Sequence, residues 1–89
     1  NPPDAQRTTL SSLRSDYQAD YVLMVAEKFS VDRDISEALA LLEKIAPKEP
    51  AASVKQAMIL GQQLGYSERE QQFLADLESA LASSAEVAP

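Results

Sequence analysis

The groups in this chain able to do chemistry are carboxylates, hydroxyls, three tyrosines, lysine and arginine, because it contains neither cysteine nor histidine. That removes Cys/His zinc sites, thiol nucleophiles and every triad that needs an imidazole base. Asp16, Asp20 and Glu27 stand at i, i+4 and i+11, a spacing that brings three carboxylates to roughly one side of a helix. Paired carboxylates can bind a metal or serve as general acid and base. The helix-borne dimetal proteins, however, add Glu-x-x-His units, and this chain has no histidine to supply them. A solvated acidic face is the better reading. Asp32, Asp34, Ser36 and Glu43 fall at positions 1, 3, 5 and 12 of a calcium-loop template. Position 6, where the template needs glycine, holds Glu37, so a helix cap on Asp34 explains the same residues.

Tyr17 and Tyr21 lie one turn apart with Asp16 and Asp20 beside them, making the repeated unit D-Y-x-x-D-Y. These four are the candidate partner-contact residues, an aromatic and acidic surface for a protein or an extracellular ligand. The competing reading is structural, since tyrosine readily buries its ring while its hydroxyl finds a partner. Gly61 and Gly65 sit within and at the end of a helix, which suits close packing and a C-cap rather than a phosphate cradle. Ser11, Ser12, Ser15, Ser83 and Ser84 have no base to activate them. The residues therefore name no catalytic group, no metal ligand and no cofactor site.

The elements that must position these groups are helices. The 89 residues leave room for one small domain. Two glycines and abundant alanine and leucine favour helix over sheet. Eight basic and fourteen acidic residues give a net charge of −6, which repels phosphate backbones and argues against a nucleic-acid partner. The longest uninterrupted apolar run, Tyr21 to Ala26, is far below the roughly 20 residues a bilayer span requires.

Periodicity predicts an all-α domain of four helices over residues 10–82, between an extended lead-in at 1–9 and a disordered tail at 83–89. The first helix runs from Leu10 to Phe29 with one apolar stripe of Leu10, Leu13, Tyr17, Tyr21, Met24 and Val25 and a second of Val22, Ala26 and Phe29. Asp34 with Glu37 opens the second helix, Ile35 to Ala46, through a capping box. Pro47 stops it and Pro50 suits the first turn of the third, Ala51 to Leu64. Ser67 with Glu70 repeats the capping box and opens the fourth, which runs to about Leu81 and buries Phe73, Leu74, Leu77 and Leu81. An offset of 35 relates Ala26, Phe29, Ala38, Leu42 and Ile45 to Gly61, Leu64, Phe73, Leu77 and Ala80. Two antiparallel helical hairpins at this period are tetratricopeptide-like in shape, although Phe73 occupies a place where that repeat has a small residue.

Asn1-Pro2-Pro3 followed by L-x-x-D-Y-x-x-D-Y-V-L-M-V-A-E-x-F, Leu13 to Phe29, resembles an uncharacterised family of bacterial single-pass membrane proteins. Asp34, Ala38 and Leu42 match that family's D-x-x-x-A-x-x-x-L hairpin, and Gly65-Tyr66-Ser67 is similar to the turn before its last helix. The resemblance covers most of the chain, with D-Y-V-L-M-V-A-E its most specific part. It implies a transmembrane helix upstream of Asn1, a start lost from this chain, and a domain on the outer face of the membrane. The expected function is a non-catalytic, membrane-proximal interaction or scaffolding domain. An accessory subunit of a membrane enzyme or transporter is the alternative, and a carboxylate-dependent hydrolase a more distant one. The hydrolase requires Asp16, Asp20 or Glu27 to converge in a pocket, and the interaction domain requires an exposed apolar or aromatic patch. The residues name neither the partner nor an oligomeric state.

Overall fold

A computed structural model describes the backbone of residues 3–87 and the side chains of 14–84. Among these residues the chain is all-α: α1 (Pro3–Asp32), α2 (Ile35–Glu43), α3 (Pro50–Leu64) and α4 (Glu68–Val87). No helix is long and apolar enough to cross a membrane among the described residues. Asn1, Pro2, Ala88 and Pro89 lie outside them, as do the side chains of Leu10 and Leu13.

α1 touches all three other helices, and its longest contacts are with α3 and α4. The core draws Val22, Val25, Ala26 and Phe29 from α1, Ala38 and Leu42 from α2, Val54 and Ala57 from α3, and Leu74, Leu77 and Leu81 from α4. Leu42, Leu74 and Leu77 are completely buried, each worth about 1.5–3 kcal/mol of apolar transfer. The second predicted stripe of α1 is thus buried, and of the first Val25 is buried too and Tyr21 packs against the core. Of the first, Tyr17 and Met24 face solvent, while Ala19 and Leu23, absent from either stripe, are buried.

The repeat register holds for the pairs Ala26 with Gly61 and Leu42 with Leu77, all buried. It fails at Phe29, buried, against Leu64, exposed. Phe73 is half-buried, and the Arg69 guanidinium lies 5.6 Å from its ring centre. Leu64, 37% exposed, is the last residue of α3.

Several boundaries move outward or inward for local reasons. The extended lead-in expected over 1–9 is instead the start of α1 from Pro3 onward, since proline in a first turn lacks only an N–H that has no partner there anyway. The tail expected from 83 is helix to Val87, because Ala82 to Val87 contains neither glycine nor proline. α1 also continues past Phe29 to Asp32 and closes on Arg33, whose φ of 55° is left-handed and whose N–H donates to the Phe29 carbonyl at 2.8 Å. α2 stops at Glu43 rather than Ala46, tightening through Lys44 and Ile45 N–H bonds to the Leu41 and Leu42 carbonyls, because a residue preceding proline disfavours helix.

Candidate functional site

The four candidate contact residues divide between the fold and the surface. Tyr21 is half-buried against the core, and its hydroxyl donates to the Leu41 carbonyl at 2.9 Å. That carbonyl belongs to the last turn of α2, where it also accepts from the Lys44 N–H at 3.2 Å. Tyr21 is therefore a strut between α1 and α2.

Asp20 has a structural partner that the spacing D-Y-x-x-D-Y does not reveal. Its carboxylate accepts from the hydroxyl of Tyr66, at the turn joining α3 to α4. Tyr66 reaches α1 because Gly61 and Gly65 shape that turn. Gly65 adopts φ 83°, a left-handed cap, and the Gly65 and Tyr66 N–H groups both donate to the Gly61 carbonyl. Gly61 has no side chain to obstruct the Tyr66 ring, and a Cβ there would lie 2.5 Å from Tyr66 Cδ2 and 2.7 Å from Gln71 Nε2. Gln71 Nε2 in turn donates to the Met58 carbonyl at 3.1 Å. Partial burial raises the Tyr66 phenol above the ordinary tyrosine range, and the Asp20 bond with the nearby charges of Asp20, Glu70 and Asp16 raises it further. Tyr66 is held as a neutral donor in an acidic setting.

Asp16 is half-buried on the same side of α1, whereas Tyr17 is 73% exposed. Tyr17 does not stand alone. Met24 is 46% and Val31 84% exposed on the same helix, and their spacing of seven residues places all three along one outer line. The apolar surface of α1 outside the core is this line, with Asp20 and Glu27 beside it.

Asp16, Asp20 and Glu27 line neither the groove between α1 and α3 nor the cleft between α1 and α2 beside Lys28. No three carboxylates there gather at metal-holding distance. Asp32 is engaged with Lys28 Nζ at 2.6 Å and with the Asp34 N–H at 3.0 Å, and Lys28 also contacts Glu37 at 2.7 Å. The hydrogen bond to Lys28 lowers the Asp32 carboxyl below its ordinary value, and the bonds to Asp32 and Glu37 raise the Lys28 ammonium. Asp34 accepts from the Glu37 N–H at 3.1 Å and caps α2. The residues that fit a calcium template are thus a helix junction.

A groove of about 290 Å³ lies between α1 and α3, floored by Ala19, Val22, Ala57 and Leu60 with Ser15, Gln18, Ser53 and Gln56 among its other lining residues. Ala46 and Glu49, just past α2, line it too. The sequence reading missed this groove and Tyr66. Gly61 five residues before Tyr66 was the available signal for the second. No family model, curated protein or solved structure matches this chain.

Proposed function

We propose that this domain is a non-catalytic interaction or scaffolding module working close to a membrane. The observation that carries this reading is the solvent-facing line of Tyr17, Met24 and Val31 on α1, bordered by acidic residues. Large apolar side chains aligned on one exposed helix face favour contact with another protein. The engagement of Asp20 with Tyr66 and of Tyr21 with Leu41 supports it, because it holds the face rigid and leaves Tyr17 as the outward aromatic. On this reading the helical hairpins, tetratricopeptide-like in shape, act as a scaffold for contact with a protein. The membrane anchor, the bacterial origin and the outer-face location rest on the resemblance of Leu13 to Phe29 to single-pass membrane proteins.

Cross-linking and pull-down of the full-length protein from its native membranes test this reading. Tyr17→Ala is expected to lose captured protein at least several-fold, while Ile59→Ala, on the exposed side of α3, retains it. Capture unchanged by Tyr17→Ala would overturn the assignment of this face.

A further inference from the structure

α2 is held to the molecule less firmly than the other three helices. It has nine residues, below the roughly 12–15 at which a helix begins to persist by itself, so its neighbours keep it helical. Two of its side chains, Ala38 and Leu42, are wholly buried, while Ile35, Leu39 and Leu41 are only partly so. Two polar contacts join its residues to α1: the Tyr21 hydroxyl on the Leu41 carbonyl at 2.9 Å and the exposed Lys28–Glu37 pair at 2.7 Å. Ion pairs of that exposure contribute little.

The helices on either side end and begin without it. α1 closes on its own bond from the Arg33 N–H to the Phe29 carbonyl at 2.8 Å, and α3 opens at Pro50, whose ring presets a first turn. Between them the chain bends at Arg33, left-handed at φ 55°, and again at Pro47, where α2 has already ended. The rest of the buried core is shared by α1, α3 and α4, with Leu74 and Leu77 completely enclosed. Units with few buried side chains and a bend at each end open at lower free energy than the whole molecule.

We propose that α2 is a strap that opens as a unit between Arg33 and Pro47 while α1, α3 and α4 stay packed. Ala38 and Leu41 share a narrow cleft with Val25 and Phe29 of α1, so opening uncovers that apolar face. The strap does not involve Tyr17, Met24 and Val31 on the outer line of α1, and it is independent of their role in contact. Its two tyrosine links report on different events. Opening breaks the bond from Tyr21 to Leu41 but leaves the one from Tyr66 to Asp20, which ties α1 to the α3–α4 turn.

Native-state amide exchange of the whole chain in rising urea tests this. The amides of residues 38–43 are bonded within α2, and those of residues 74–81 within α4. Protection in α2 is expected to lie below that in α4 by about tenfold or more and to be nearly insensitive to low urea, whereas α4 protection falls steeply with it. Tyr66→Phe weakens the closed and opened forms alike relative to the unfolded chain. It is expected to lower α4 protection by about fivefold, the equivalent of one hydrogen bond, and to leave α2 protection unchanged. Tyr21→Phe weakens the closed form alone and is expected to lower protection in both helices by about that factor. A urea dependence common to α2 and α4, or an equal loss in both from Tyr66→Phe, would show that α2 opens only with the whole fold and overturn the strap. Lack of any protection in α2 would overturn it too, since a strap must close.

Discussion

Gly61 is where a single hydrogen atom decides how two helices meet the turn between them. In an exposed helix interior, glycine to alanine would gain about 1 kcal/mol of helix propensity. At Gly61 the added methyl meets the Tyr66 ring at 2.5 Å, and overpacking of this kind costs about 1–3 kcal/mol. The clash wins, because an aromatic ring held at its hydroxyl cannot yield as a free side-chain end would. Gly61→Ala is expected to lower the urea midpoint by an amount equivalent to about 1 kcal/mol. Tyr66 itself gives a pH signature. Its folded-state pKa is raised, so its hydrogen bond contributes fully while both states are protonated, below the ordinary value of 10.0. Above that value the unfolded chain releases the proton while the folded chain keeps it, and stability falls as pH rises. Tyr66→Phe is expected to cost about 1 kcal/mol at neutral pH and to show a shallower loss of stability above pH 10 in urea titrations.

The two helix starts look alike in sequence and differ in chemistry. At α4, Ser67 and Glu70 complete a reciprocal box: the Glu70 N–H donates to Ser67 Oγ at 3.1 Å and the Ser67 N–H to Glu70 Oε1 at 2.8 Å. At α2 the Asp34 half forms, but the Asp34 N–H donates to Asp32 and the Glu37 side chain turns to Lys28. Glu70→Ala therefore removes a cap bond, at about 0.5–1 kcal/mol, whereas Glu37→Ala removes only an exposed ion pair of about 0–0.5 kcal/mol. Thermal unfolding of the two variants checks the order, and a larger loss for Glu37→Ala would contradict it. The sequence pattern S/D-x-x-E located both helix starts, yet it could not show which carboxylate completes each, because Lys28 and Asp32 compete from the end of α1. Arg33 illustrates the same limit. Its left-handed conformation follows from the two-residue link between α1 and α2, and its guanidinium rests 4.4 Å from the Phe29 ring centre.

For the molecule as a whole, the helix count and nearly all fully buried positions were legible from 3.6-residue periodicity, because core formation in a four-helix domain follows apolar spacing directly. What periodicity could not order was which side chains of the two α1 stripes are buried. Tyr17 and Met24 look as apolar as Val22 and Ala26, and only the positions of α2, α3 and α4 determine which of them are covered. The candidate contact set was legible as a cluster but not by role, since the Asp20 partner lies 46 residues away at Tyr66. That separation is itself informative about how the chain assembles. The α3–α4 hairpin closes through neighbours in sequence, while the Asp20–Tyr66 link closes across 46 residues of chain and is expected to form later. Such a late contact influences escape from the native state more than entry to it. In stopped-flow experiments, Tyr66→Phe should unfold faster with little change in its refolding rate, making this link a determinant of how long the folded domain persists.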